Sequence, residues 1–367
     1  MWFSIVLARA DFYFRAATPR EVERATEIAP RNTEYLALRA LQIEYDGGDS
    51  RPLTRRIAEM NPMSSAPRIR LGLAAEVAGD TAGAERWLLD AASVDHQFEP
   101  RWTLANFYFR AGRRDEFFQW MRLALESSYG DRNPAFDLCW RMSADSAEIL
   151  DRAVPERHAV AGAYLEYLLQ RKRDAALPAV AKRLAAYRDA GDIQALLRVC
   201  DHLIESGDSA ALDVWALAGQ SAPSGIFNGD FAAEPLNHGF DWRMIEWPGV
   251  THVNLSAPSG HRIVLSGQQP ESCLLLKETL KLGEGKRYRF QWETRTDGIK
   301  SPSGFEWRIG GQHVAIVTSD DWTQGELTFS APQGFCWLEL IYQRPVGESR
   351  AEGNVEIRRV RVTEVAP

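Results

Sequence analysis

Cysteine is scarce, with four residues in 367 and no Cys-x-x-Cys pair, so a disulfide-dense scaffold is excluded. Lysine is scarcer still: 6 residues beside 37 arginines, a bias that reads as GC-rich coding rather than as a recognition device. Bases do not outnumber acids, 43 against 50, and the formal charge of −7 leaves no basic surplus for gripping a phosphate backbone. Nucleic acid is therefore not an expected partner. Long apolar runs are missing at the N-terminus too, where Trp2–Ala8 ends at Arg9, well short of the about 20 residues needed to cross a bilayer. That stretch also has no basic leader and no small-residue cleavage site, so it does not read as a signal peptide. It reads as an amphipathic first helix with Phe3, Leu7, Ala10 and Phe14 on one stripe, or else as the stub of a membrane anchor. No such anchor is evident in the chain itself.

Catalytic signatures are absent as well. There is no Gly-x-Ser-x-Gly elbow, His-Glu-x-x-His pair, phosphate-binding loop or dinucleotide fingerprint. The seven histidines, including His238, His252 and His261, do not fall at metal-ligand spacing, so neither a metal nor another cofactor is expected. Cys273 and Cys336 are expected as buried free thiols. What remains is an ordinary globular composition, 45% hydrophobic and 25% charged with mean hydropathy −0.32, and an unusual 12 tryptophans. The length suggests two or three domains.

From about residue 18 to 220 apolar residues recur at helical spacing, interrupted by Gly47-Gly48-Asp49, Gly79-Asp80, Gly112, Gly191-Asp192 and Gly207-Asp208. Such breaks predict antiparallel helix pairs of about 10–16 residues each. A period is visible: Leu71-Gly72, Gly79, Ala84 and Ala91 return as Leu104-Ala105, Gly112, Phe117 and Ala124, each 33 positions later. Ala25-x-x-Ile28-x-Pro30 returns as Ile57-x-x-Met60-x-Pro62 at 32. Small residues at such positions let two helices approach, and Leu71 and Leu88 fill the gaps.

These spacings resemble the tetratricopeptide repeat, a helix-turn-helix unit of about 34 residues. Residues 69–95 match best, and Pro155 and Pro178 fall off the period, so one solenoid that becomes irregular is expected. The resemblance implies that the first helix of each pair lines the face where partners bind. It places Trp102, Asn106 and Phe109 on that face, with Ile69, Leu73 and Glu76 one repeat earlier. Aromatics there could anchor an extended peptide of a protein partner, or could instead be buried against the next helix pair.

At residue 222, after Gln220-Ser221, the periodicity changes to two, which divides the chain into an α-helical domain, 1–221, and a β domain, 222–367. Tyr288, Phe290, Trp292 and Thr294 alternate with Arg289, Gln291, Glu293 and Arg295; Cys336, Leu338, Leu340 and Tyr342 alternate with Trp337, Glu339, Ile341 and Gln343. Nine or ten such strands predict a two-sheet antiparallel sandwich. The fold class is thus α followed by β.

Asn228-Gly229-Asp230-Phe231, Gly239-Phe240-Asp241-Trp242, Trp322-Thr323 and the closing Val355-x-Ile357-x-x-Val360-x-Val362 resemble the galactose-binding-like jelly roll of many carbohydrate-binding modules. Where such modules often place a calcium-binding carboxylate in the closing strand, this chain has Arg358-Arg359, leaving Asp230 short of oxygen partners. Trp292, Trp307 and Trp322 are expected in the core. Trp337 shares an outward phase with Glu339, and if strands 286–295 and 304–310 lie in one sheet, Gln291, Glu293 and Arg308 join it as a candidate glycan surface. The alternative is that Trp337 packs under a loop or against the helices. Glu293 and Glu339 are also the carboxylates a glycosidase would need, though nothing marks them as perturbed. The sequence therefore points to a non-enzymatic adaptor, with helical repeats for a protein and a jelly roll for a polysaccharide or second protein. Its alternatives are a pure protein scaffold capped by the sandwich, and a glycan-active enzyme. The combination resembles bacterial proteins of polysaccharide assembly or export at the cell envelope, on its cytoplasmic or periplasmic side.

Overall fold

A computed structural model describes residues 2–365, with the side chains of Trp2 and Phe3 outside the description; the expected position of Phe3 lies there. The chain divides into two compact units, residues 1–167 and 168–367.

The first unit is built of helix hairpins: α1 (Trp2–Ala16) with α2 (Pro19–Ile28), α3 (Thr33–Tyr45) with α4 (Arg51–Met60), α5 (Ala66–Val77) with α6 (Thr81–Val94), and α7 (Phe98–Arg110) with α8 (Arg114–Ser127). After these come α9 (Asn133–Met142), the short α10 (Ser146–Glu148) running into a π-helical turn at 149–153, and α11 (His158–Gln170), within which the division between the units falls. Successive first helices begin at 33, 66, 98 and 133, which is the tetratricopeptide-like period expected. Local sequence sets the boundaries. Asn32 Oδ1 accepts the Glu34 and Tyr35 amides at the start of α3, Asp80 caps α6 through Gly83, and Pro opens α2, α4, α5 and α9. Gly79 ends α5 at φ +80°, a conformation that disfavours any side chain. Packing explains the small residues: a Cβ on Gly72 would sit 2.7 Å from Leu88, and Ala84, Leu88, Leu104, Ala105, Phe117 and Ala124 are all fully buried. Ala10 of the first-helix stripe is buried, but Leu7 is 39% exposed. Among the described residues no helix is long and apolar enough to cross a membrane.

The second unit holds α12 (Leu177–Ala185), α13 (Ile193–Glu205) and α14 (Ala211–Leu217) together with ten strands. Sheet A contains β1 (Arg243–Met244), β4 (Ser272–Leu280), β9 (Cys336–Gln343), β6 (Phe305–Ile309) and β7 (Gln312–Ala315), in that order. Sheet B contains β2 (Val250–Ser256), β3 (Ser259–Ser266), β10 (Glu352–Glu364), β5 (Arg287–Asp297) and β8 (Thr323–Ser330). Every pairing is antiparallel. Inward residues of both sheets, among them Leu276, Phe290, Trp292, Trp307, Leu338, Leu340 and Ile357, share one core. All four cysteines are buried free thiols.

Two expectations are corrected here. Strands β5 and β6 lie in different sheets, because β6 pairs with β9 whereas β5 pairs with β8 and β10. Trp322 is not core: it stands just before β8 on the outer side of sheet B, with the Arg358 guanidinium 3.9 Å and that of Arg295 5.3 Å from its ring centroid. Trp292 and Trp307 are core as expected.

The last helices are built into the sandwich unit. Trp215 of α14, fully buried, meets Phe227 and Phe240 edge-on at 5.2 and 5.7 Å. Asp201 of α13 accepts hydrogen bonds from the Gly239 amide at 2.6 Å and from Arg243 at 2.7 Å, and its other oxygen lies 2.5 Å from His238 Nδ1. Gly239 is obligatory at this junction, since a Cβ would lie 2.3 Å from the Trp215 ring.

Candidate functional site

On the outward face of sheet A, strand register sets Lys277, Glu339, Arg308 and His313 in one row across β4, β9, β6 and β7, with Trp337 in the next row beside Thr279. Three of the sequence candidates, Trp337, Glu339 and Arg308, are therefore neighbours. They line a depression of about 380 Å³ with Gln312, His313 and Phe335, beside the Gly310-Gly311 turn. Gly310 is required there: its φ is +55°, and a Cβ would lie 2.4 Å from the Phe329 ring. Lys277 Nζ lies 3.7 Å from the Trp337 centroid and the Arg243 guanidinium 5.9 Å away, so cations already occupy part of the indole surface. Burial, joined by the nearby Arg243, pushes the Lys277 ammonium below its usual range. Arg308 is held by an ion pair with Glu306. An aromatic wall beside guanidinium, carboxylate, amide and imidazole groups can pack against the C–H face of a sugar ring and bond its hydroxyls.

Gln291 and Glu293 are elsewhere, on the outward face of sheet B. Glu293 accepts Arg358 Nε at 2.7 Å and Arg359 Nη1 at 2.8 Å. Partial burial acts to raise its carboxyl pKa, but the two arginines together outweigh this and hold it below the usual range. Gln291 Nε2 lies 3.4 Å from Glu326. The five candidates thus do not form one surface, and Glu293 and Glu339 do not form a carboxylate pair. Asp230 accepts the Ala232 amide within a turn.

In the helical unit, each peptide-groove candidate is engaged internally. Trp102 stacks on Phe98 at 5.7 Å, Asn106 Nδ2 donates to the Trp102 carbonyl at 2.9 Å, and Phe109 lies 5.9 Å from Phe117 with Arg141 5.0 Å from its centroid. Ile69 is buried rather than groove-facing, and Glu76 is held by Arg110 in two bonds of 2.7 and 2.8 Å. Leu73 remains 38% exposed, and beside it stand residues not singled out above: Val77 at 91%, Leu41 at 49% and Tyr45 at 93%. Leu41, Leu73 and Val77 line a groove of about 610 Å³ between α3 and α5. The signal for them is in the sequence, because Leu41 and Tyr45 recur as Leu73 and Val77, each 32 positions on.

The sequence start of the sandwich also hides a close histidine pair. His252 Nδ1 lies 3.0 Å from His261 Nε2, with Asn254 Oδ1 2.8 Å from His261 Nδ1. Among the described residues no group of three or more His, Cys, Asp or Glu is arranged to hold a metal ion.

No protein-family model and no curated protein matches the chain. Among solved structures, one described as "CBM4 structure and function" is similar at 15% identity, covering 38% of this chain and 99% of its own, with a TM-score of 0.30. PilW, a type IV pilus biogenesis factor, is similar at 13% identity over 58% of this chain and 90% of its own, TM-score 0.28. Pseudomonas aeruginosa pilF is similar at 16% identity over 51% and 88%, TM-score 0.29. None of these reaches a TM-score of 0.5, so the description of a tetratricopeptide-like helical array followed by a β-sandwich rests on the elements themselves.

Proposed function

We propose that the protein is a non-enzymatic adaptor. The helical unit takes a segment of a protein partner along its first helices, and the domain from 222 to 367 contacts a glycan at the Trp337 depression. The observation that carries the protein-binding half is the pair of exposed apolar ridges on α3 and α5. Four large apolar side chains at matching positions of consecutive repeats, on otherwise well-packed helices, are what a partner's apolar side chains need. Trp102, Asn106 and Phe109 then serve as the next repeat's wall and not as free anchors. Assembly or export of polysaccharide at the bacterial cell envelope is a setting such an adaptor suits.

One observation favours a second reading, in which the sandwich chiefly terminates the helical array: α12 to α14 and the strands form one compact unit, with Trp215 of α14 buried against Phe227 and Phe240. A glycan array probed with the full chain separates the two readings. The adaptor predicts a salt-insensitive neutral-glycan hit that weakens at least tenfold in Trp337→Ala. An array blank for both proteins leaves the sandwich as a cap.

A further inference from the structure

The outward face of sheet B is rich in arginine although the chain as a whole is acidic. Along β5, Tyr288, Phe290, Trp292, Thr294 and Thr296 are buried, so Arg287, Arg289, Gln291, Glu293 and Arg295 point outward. On β10, Thr363, Arg361, Arg358 and Glu356 stand opposite Arg289, Gln291, Glu293 and Arg295, and Arg262 of β3 stands opposite Glu356. Each of the two central carboxylates is shared by two guanidinia: Glu356 by Arg262 and Arg295, both at 2.7 Å, and Glu293 by Arg358 and Arg359. A bulge between Arg358 and Arg361 puts Arg359 at φ +52°, with its side chain 59% exposed.

After this pairing, Arg287, Arg289 and Arg361 remain exposed with no carboxylate of the described residues within ion-pair distance. Successive outward positions on one strand are about 6.8 Å apart and neighbouring strands about 4.8 Å, so the three guanidinia span a compact patch. Between and beside them lie an amide and hydroxyls, Gln291, Thr328, Ser330 and Thr363, with Glu326 opposite Gln291. The single aromatic of this region, Trp322, is covered by Arg358.

We propose that this face binds an acidic polysaccharide, with Arg287, Arg289 and Arg361 pairing its carboxylates and the interleaved amide and hydroxyls bonding its sugar hydroxyls. Charge complementarity selects the class. Glu293, Glu326 and Glu356 share the face, which suits a polymer with no more than one carboxylate per sugar ring and hydroxyls between its charges, and disfavours duplex nucleic acid with a charge about every 1.7 Å. The patch around the three arginines offers no apolar platform for a membrane or for peptide side chains. This site lies on the opposite sheet from Trp337 and does not depend on the glycan reading of that depression.

The test is affinity electrophoresis of the full chain through polygalacturonate, with dextran as the neutral control, at 50 and 300 mM salt. Polygalacturonate should retard the protein at low salt and several-fold less at high salt, and dextran should not. The triple variant Arg287→Ser/Arg289→Ser/Arg361→Ser should bind at least tenfold more weakly, while Arg20→Ser/Arg31→Ser, which removes exposed arginines of the helical unit, should bind as the unaltered protein does. Absence of retardation at 50 mM salt would overturn the proposal, as would full retardation of the triple variant. Equal binding of duplex DNA, or of phosphatidylserine vesicles, with the same dependence on the three arginines would also overturn it.

Discussion

Glu278 points into the sandwich from β4, opposite Leu338, and is fully buried. Its Oε1 accepts the Phe227 amide at 2.7 Å, while Oε2 has no partner among the described residues. Burial pushes its carboxyl well above the usual range, the Phe227 amide opposes that, and nearby Asp241 adds to it. A carboxyl raised on folding contributes stability below its unfolded value and loses it as pH climbs through the folded value. His261 has the opposite effect on the acid side: burial, with His252 beside it, pushes its imidazole down to about 3, so stability drains away as pH falls from the ordinary histidine range. Denaturant unfolding across pH 4 to 9 should therefore show a maximum between these limits. Glu278→Gln should flatten the alkaline limb and leave the acid limb in place; an unchanged alkaline limb would show that Glu278 does not ionise there. Neither group was legible in the sequence. Alternation along 272–280 is broken by a bulge between Leu274 and Leu276, and it is that shift which turns Glu278 inward.

Helix hairpins were readable because close packing leaves a mark at fixed spacing. Gly72, Ala84 and Ala91 are small where α5 meets α6, and a Gly72→Val change, placing a branched side chain against Leu88, should cost about 1–3 kcal/mol in equilibrium unfolding. A loss under a few tenths of a kcal/mol would mean that the hairpin relaxes around it. Strands were readable for a similar reason, since a period of two shows which residues point inward. It does not show which sheet a strand joins. Pairing is a property of residues far apart in the chain, such as Phe290 with Leu327 in one sheet and Trp307 with Leu340 in the other. That is why alternation alone groups Gln291 and Glu293 with Trp337, Glu339 and Arg308. Trp322 escaped for a related reason: the guanidinia that cover it come from β5 and β10, and no local pattern announces them.

At the scale of the molecule, the change of periodicity at 222 and the division into compact units at 167 and 168 describe different things. The first marks where helical patterning stops; the second marks how far the sandwich's packing reaches back, through Asp201, Cys200 and Trp215. A fragment spanning 168–367 should unfold cooperatively, whereas 222–367, deprived of the Trp215 contacts with Phe227 and Phe240, should lose at least about 3 kcal/mol, the usual cost of removing a buried aromatic. Equal midpoints for the two fragments would make the helices dispensable to the sandwich. The adaptor account is tested most directly by photo-crosslinking in cells, with a reactive residue placed at Val77 of the exposed ridge and, for comparison, at Arg86 on α6. The account predicts a discrete protein adduct from Val77 that disappears with Leu41→Asp/Leu73→Asp and is missing from Arg86. Identical products from both positions, or an adduct indifferent to the double change, would contradict it.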